Sequence, residues 1–508
     1  MKVSPRWVVN IQGDVKGVSV SNDGRYALAM TTEGALLLDI DGRTERNLGA
    51  ASCCDISPSG SSVCHARESR VTLGTVQGAT IGALEFKDRI SSCLLLDDMV
   101  LVGTEVGGIY AFRIDGSFIW EAKVEGKVEM MTDDGTSSLL VYQSAKKVSM
   151  LDIRTGRVKW GAGTMTSVVA ISAVSSGNSF VSTIDGRIIE FNPVGTVAWN
   201  PRISARIVTS DVSPNGKIVA ISDGGSVQLY SEYKTILRRW DCGEANVLKL
   251  TENGTYAFAG LANGTLAFMD KEENLWSYHS ADPIISGAMT PNGNRIVTGM
   301  SRKLMVFDNA TLFEEHVHEI VQKLLVAKHF GARIEDAKAF AKNALDKVRI
   351  GEFSSALTML KSAESASFKV KELSKPAISL IAAVAESFAL NQWTKALTYV
   401  MNTGSEHAAD LQLVSLTEGI ELQWNVVPSL SVDECIYVEF GIRPIRPNVS
   451  KVEFEVRFWD YAGKAFATKG AADIRVEDAK RPHPKPVAVF SIGEKSRVIS
   501  AVKKGIKK

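Results

Sequence analysis

Ser213-Pro-Asn-Gly216-Lys-Ile-Val-Ala220, followed by Gly224-Gly-Ser-Val-Gln-Leu-Tyr230 and closed by Trp240, is the stretch on which the fold turns. Its first half is a polar turn ending in glycine that runs into an apolar, β-branched segment. Its second half is a Gly-Gly pair between apolar runs, a strong hairpin signal because both positions tolerate positive φ. The arrangement recurs. Asn22-Asp-Gly24, Ser57-Pro-Ser-Gly60, Asp133-Asp-Gly135, Ser175-Ser-Gly177, Glu252-Asn-Gly254 and Thr290-Pro-Asn-Gly293 each open a β-rich run, and Asp97-Asp98 holds the same place without a glycine. The anchors at 24, 60, 98, 135, 177, 216, 254 and 293 are spaced 36, 38, 37, 42, 39, 38 and 39 residues apart. Near-constant spacing of this kind marks one supersecondary unit repeated eight times.

Within a unit the second turn is again glycine-centred, as in Gly107-Gly108, Asp185-Gly186, Gly224-Gly225 and Asn263-Gly264. After a third turn many units end in tryptophan: Trp120, Trp160, Trp199, Trp240 and Trp276. Four short strands in about 38 residues make the blade of a β-propeller, and the eight units predict eight blades over residues 1–310. Trp160, Trp199 and Trp276 each precede the next anchor by 17 residues, and Trp7 precedes Gly24 by the same 17. The last unit lacks a fourth strand, because a helical pattern begins near Thr311. The segment around Trp7 is therefore expected to supply the outermost strand of the last blade, which would remove two exposed sheet edges.

Ile109-Tyr-Ala-Phe-Arg-Ile-Asp-Gly-Ser-Phe-Ile-Trp120 and Val148-Ser-Met-Leu-Asp-Ile-Arg-Thr-Gly-Arg-Val-Lys-Trp160 resemble the repeat of the PQQ-like quinoprotein propellers. The repeat of that family ends in Gly, a short β run and Trp, and its propellers commonly have eight blades. The Ser-Pro-Asn-Gly turns are also similar to those of WD-repeat propellers. No unit, however, closes its third strand with Trp-Asp, and none has the Gly-His turn. The resemblance covers about residues 1–310. For its enzyme members it implies a quinone and calcium near a catalytic carboxylate in the central channel, and in some a vicinal disulfide, with which Cys53-Cys54 invites comparison. This chain shows neither a matched acidic and Asn cluster nor calcium-ligand spacing. Cys53 and Cys54 are instead expected as free thiols facing opposite ways from the innermost strand of the second blade. The tryptophans are expected to pack between neighbouring sheets, together with the structural glycines Gly24, Gly60, Gly135, Gly177, Gly216, Gly254 and Gly293.

Beyond the repeat, residues 311–409 change period. Leu312, Val317, Ile320, Val321, Leu324 and Leu325 recur at helical spacing up to Gly331, and Glu335 to Val348 forms a second, Ala-rich helix. Gly351-Glu-Phe-Ser-Ser-Ala-Leu-Thr-Met-Leu-Lys-Ser-Ala363 looks like half a tetratricopeptide repeat, Pro376 is placed to open a further helix, and Asn391-Gln-Trp-Thr-Lys-Ala-Leu-Thr-Tyr-Val400 echoes the first hairpin. Alternation returns over 410–493, where about six short strands predict a small immunoglobulin-like sandwich. Its single Cys435 and the position of Trp424 exclude an antibody-type Cys–Trp–Cys core. Residues 494–508 form a basic tail, in which Lys495 to Lys508 holds six cations and no acid.

The 508 residues carry 58 Lys+Arg against 57 Asp+Glu, so no global attraction to nucleic acid or anionic membrane arises. No apolar run approaches the roughly 18 residues of a membrane-spanning helix, and the first residues lack the apolar core of a signal peptide. Six cysteines without paired spacing fit a reducing compartment, so a cytoplasmic location is expected. His316-x-His318 cannot converge on one helix face, and His318 and His329 stand about 16 Å apart along it, so no metal site is expected. CxxC, HExxH, Walker and GxSxG motifs are absent from the sequence. The expected function is a non-enzymatic scaffold or adaptor, without cofactor, that binds proteins through propeller and helical surfaces. Two alternatives stand beside it. One is a degenerate quinoprotein-like enzyme or small-molecule binder using the channel. The other is an adaptor that reaches membrane or nucleic acid through the basic tail.

Overall fold

The computed structural model describes residues 3–41, 43–329, 334–373, 375–385, 387–424, 427–460, 463–477, 486–492 and 497–498. They divide into two compact units, one of residues 1–316 with 347–357 and one of residues 317–346 with 358–508.

The first unit contains eight four-stranded antiparallel sheets. Seven are simple meanders, spanning residues 15–49, 53–85, 90–123, 128–163, 168–199, 209–241 and 245–279. The eighth pairs Ser286–Met289, Arg295–Gly299 and Lys303–Asp308 with Trp7–Asn10, whose register runs from Trp7 opposite Val306 to Asn10 opposite Lys303. Successive sheets pack through their first strands, and the first strand of the first sheet, Val15–Val20, packs against that of the eighth. The second strands are almost wholly buried, as Met99–Thr104 and Ser138–Gln143 illustrate, because each lies between neighbours in its own sheet and the faces of two adjoining sheets. Charge locks the join between first and last sheets. Arg295 reaches Asp41 at 2.6 Å and Asp308 at 3.4 Å, and donates to the Gly24 carbonyl at 2.9 Å. Arg6 also pairs with Asp308 and lies 3.6 Å from Asp41.

Helix α1, Asn309–His329, leaves the eighth sheet directly. The Asp308 carboxylate accepts the Thr311 N–H at 3.0 Å, an N-terminal cap that satisfies one of the orphan donors of the first turn. Helices α2, Glu335–Arg349, and α3, Phe353–Leu373, follow. The start of α3 belongs to the first unit. Phe353 is fully buried against Tyr256, Phe268 and Phe313, with ring centroids 5.2–5.9 Å apart.

The helical segment was expected to continue to residue 409. It ends at Leu373, and the β domain begins at Ile378 rather than at 410. Pro376 precedes a strand, Ile378–Ala385, and the second half-repeat is itself a strand, Thr394–Asn402. Burial gives the reason. Ala396, Thr398 and Val400 face inward while Lys395, Leu397 and Tyr399 face out, a period of two. Phe353 and Trp393, aligned in the sequence, therefore do not occupy equivalent places, and the tetratricopeptide-like pairing does not form.

The second unit holds a five-stranded sheet, ordered Ile420–Trp424, Cys435–Pro444, Thr394–Asn402, Ile378–Ala385, Pro486–Ile492. A four-stranded sheet orders Val427–Leu430, Ala408–Ser415, Lys451–Trp459, Ala465–Asp473. Leu380, Val400 and Phe440 from one share a core with Leu411, Phe454 and Phe458 from the other. A short parallel pair joins Ser387–Ala389 to Arg475–Glu477. Gly331 and the basic residues Lys503 to Lys508 lie outside the described residues.

Candidate functional site

The repeated turns are built from their own side chains. In Ser213-Pro-Asn-Gly216-Lys-Ile218, the Ser213 hydroxyl donates to Asn215 Oδ1 at 2.8 Å and accepts the Ile218 N–H at 3.0 Å, while Asn215 accepts the Lys217 N–H. Ser21, Thr251 and Thr290 repeat this pattern with Asp23, Asn253 and Asn292. The glycine of each anchor, Gly24, Gly60, Gly135, Gly177, Gly216, Gly254 and Gly293, takes φ between 68° and 82°. A hydroxyl at the first position, an amide or carboxylate two residues on, and glycine next thus form a self-satisfied turn.

The tryptophans sit where one sheet meets the next. Trp120 donates to the Ile153 carbonyl at 2.9 Å and lies over Gly156, where a Cβ would come within 2.4 Å of its ring. Trp160 lies over Gly195 in the same way and stacks on Phe191. Trp276 stacks between Phe268 and Phe307 and donates to Asn309 Oδ1 at 2.7 Å. Trp199 meets Tyr230 edge-on, Trp240 packs against the cluster around Leu229 and Leu248, and Trp7 against that around Val9 and Val306. Each is a packing residue between sheets.

In a four-stranded meander the second-to-third turn and the link to the next sheet emerge at the same end. Backbone bonds tie them together: Val124 N–H to Gly107 O at 2.9 Å, Thr164 to Lys146 at 2.8 Å, Ile203 to Gly186 at 2.8 Å and Ser280 to Gly264 at 2.9 Å. The face so formed displays large apolar side chains. Val106 and Ile184 occupy second-to-third turns and are 47% and 48% exposed; Met165 and Ile285 occupy links and are 92% and 41% exposed. Met165 is held outward from a backbone with φ 58°. Around them stand both charge signs, including Arg206 beside Glu244, Lys303 beside Asp282 and Arg187 beside Asp185.

The innermost strands line a channel of ≈ 470 Å³ whose wall includes Met131, Ile171, Asp211, Asn246 and Lys249. Two carboxylates on innermost strands join neighbouring sheets. Asp55 accepts the Leu95 N–H, and Asp211 the Leu250 N–H, at 2.9 and 2.7 Å. Burial pushes the Asp55 carboxyl up to about 6, against the stabilising backbone bonds from Leu95 and Ile56, and it also raises Asp211. Cys53 and Cys54 enter different apolar clusters, one with Cys64 and Val71, the other with Tyr26 and Leu28. Among the described residues no group of three His, Cys, Asp or Glu is arranged to hold a metal ion, and no helix is long and apolar enough to cross a membrane.

Residues 144–297 match the family model described as outer membrane protein assembly factor BamB, of the PQQ-like type. The fold is that of a PQQ-like, WD-like β-propeller. Among solved structures the chain is similar to Sqt1 of Saccharomyces cerevisiae at 12% identity and TM-score 0.52, over 61% of this chain and 99% of that one. The computationally designed protein Ika8 matches at 14% identity and TM-score 0.51, over 59% and 97%. The C-terminal WD40 domain of Sif2 matches at 15% and 0.50, also over 59% and 97%. At these identities the likeness carries the fold alone. No curated protein matches the chain.

Sequence reasoning located the framework of the propeller, namely its turns and tryptophans, but not these exposed apolar side chains. Val106, Met165, Ile184 and Ile285 fall in connections, where periodicity carries no information; a large apolar residue inside a polar turn is the signal that was there to read. A second exposed apolar surface lies on the outer side of the five-stranded sheet of the other unit. Leu397, Tyr399 and Tyr437 project from it, with Tyr399 and Tyr437 in edge-to-face contact at 5.5 Å and Trp393 beneath the Arg443 guanidinium. Its charges pair internally, Lys395 with Glu439 and Arg443 with Glu421.

Proposed function

We propose that the protein is a non-enzymatic cytoplasmic scaffold that docks other proteins on the loop face of an eight-bladed propeller. The observation that carries this reading is a set of four exposed apolar side chains, Val106, Met165, Ile184 and Ile285, that share one end of the ring. Scattered apolar surface is ordinary, but large side chains raised on the connections of a rigid ring present the anchors that protein interfaces use, within a rim of mixed charge. The match of residues 144–297 to an assembly-factor family supports the same class of role. The two-sheet domain, read as an immunoglobulin-like module, adds a further docking surface through Tyr399 and Tyr437.

Affinity purification of the full chain from its native cell, with mass spectrometry, tests the proposal. A stoichiometric partner retained by the wild type and lost by the double variant M165D/I184D supports it. A channel-based activity is the rival reading, favoured by the cavity beside Asp211 and Lys249. Purified protein carrying a chromophore or calcium, with no partner captured, would replace the scaffold reading with that one.

A further inference from the structure

Three thiols meet where the second and third sheets of the propeller adjoin. Cys53 stands on the innermost strand of the second sheet, Cys64 on the strand beside it, and Cys93 on the innermost strand of the third. All three belong to one apolar cluster with Val71, Leu73 and Val102, drawn from both sheets. All are free thiols. Strand register produces the meeting. Leu95 donates its N–H to Asp55 Oδ2 at 2.9 Å. Two residues back along each strand, on the same side as Asp55 and Leu95, stand Cys53 and Cys93. The Asp55–Leu95 bond thus holds the two strands in an alignment that turns Cys53 and Cys93 into the same cluster. Cys54 points the other way, with its Sγ 3.8 Å from Met30 Sδ. Cys64 is fully buried, whereas Cys53 and Cys93 are only partly buried.

The three sulfurs are not arranged to hold a metal ion. Two thiols packed in one cluster across a sheet boundary suit a disulfide instead, a bond that needs Cα atoms no more than about 7 Å apart. We propose that Cys53 and Cys93 form a reversible disulfide that joins the second and third sheets when the protein meets a peroxide. One thiolate attacks a peroxide oxygen and expels hydroxide, leaving a sulfenic acid; the second sulfur then displaces the sulfenic hydroxyl. The two thiol protons leave in two waters, the sulfurs lose two electrons and the peroxide gains them. A dithiol reductant reverses the reaction by exchange. The contacts with Cys53 and Cys64, together with burial, hold the Cys93 thiol well above the usual thiol range. The protonated form therefore prevails near neutrality and the reaction quickens with pH.

Full-length protein exposed to hydrogen peroxide at pH 7 and pH 8, then denatured, alkylated and mapped by mass spectrometry, tests this. The expected product is a Cys53–Cys93 linked peptide, two hydrogens lighter than the separate peptides and lost on treatment with dithiothreitol. It should form about tenfold faster at the higher pH. C93S should abolish it and C242S should leave it intact; should C93S fail to fold, C53S reports the same bond. The exposed Met165 serves as an internal measure of dose. Full alkylation of Cys53 and Cys93 after exposure that converts Met165 to its sulfoxide would overturn the proposal. So would a Cys64–Cys93 link in place of Cys53–Cys93. The test is independent of the docking role.

Discussion

A buried carboxylate on an innermost strand sets a pH dependence that single residues can report. The Asp55 carboxyl is raised to about 6 by burial, so its charged form is less favourable in the folded chain than in the unfolded one. The associated stability is fully present below the ordinary carboxylate range and is lost as pH climbs through about 6. Asp55→Asn keeps an acceptor for the Leu95 N–H without the charge. Relative to wild type it is expected to gain on the order of 1–2 kcal/mol between pH 4 and pH 7, read by urea denaturation at each pH. A variant whose relative stability stays flat across that interval would contradict the assignment. Gly156 makes a steric counterpart. Its φ of 68° and the Trp120 ring 2.4 Å from a built Cβ leave no room for a side chain. Gly156→Ala is expected to cost about 2–3 kcal/mol, with Trp120 fluorescence reporting the displaced ring. Gly135, where a Cβ meets nothing within 4 Å, gives the control. Ala there should cost only the backbone strain, about 1 kcal/mol.

Among the elements, the strand Thr394–Asn402 carries the sharpest lesson, because its sequence fits two periods. Ala396 and Leu397 align with Ala356 and Leu357 of α3, which are both buried on a helix face. On the strand the same dipeptide splits, Ala396 inward and Leu397 outward. Ala396→Lys should therefore destabilise the second unit strongly, by about 3 kcal/mol or more, while Leu397→Lys should change it by less than about 0.5 kcal/mol. Equal losses at both positions would favour the helical reading. The first-to-last sheet join is a second element-scale case. Val9 is buried in the strand that completes the eighth sheet. Val9→Asp places a carboxylate in that seam and should lower the melting temperature of the propeller, whereas Val8→Asp, on the exposed side of the strand, should leave it unchanged.

At the scale of the molecule, the chain does not divide where its secondary structure does. Residues 347–357 belong with the propeller although they lie among helices, held by Phe353 and by the Tyr256 hydroxyl, which donates to the Gly351 carbonyl at 3.2 Å. Phe353→Ala opens a cavity in this aromatic cluster and should cost about 3–4 kcal/mol. Two compact units predict two calorimetric transitions. Phe353→Ala and Asp55→Asn should move one of them, and Ala396→Lys the other. A single transition shifted by all three variants would contradict the division.

Much of this was legible in the residues alone, because a repeat states its own geometry. The hydroxyl–amide–glycine turns satisfy their hydrogen bonds locally, so Ser213, Asn215 and Gly216 identify the turn without knowledge of what it touches. The glycine four residues before Trp120, Trp160 and Trp199 likewise spells out a recurring packing unit. The tertiary structure alone decided three matters. Ala396 and Leu397 became strand because inward Ala396, Thr398 and Val400 complete a two-sheet core whose other half comes from residues far along the chain. Val106, Met165, Ile184 and Ile285 share one face because strand direction, not spacing, sets the end from which a connection emerges. Cys53 and Cys93, forty residues apart, meet through inter-sheet register, which depends on how neighbouring sheets settle against each other. Local hydrogen bonding is written in consecutive residues, whereas burial and register arise only when distant segments exclude water together.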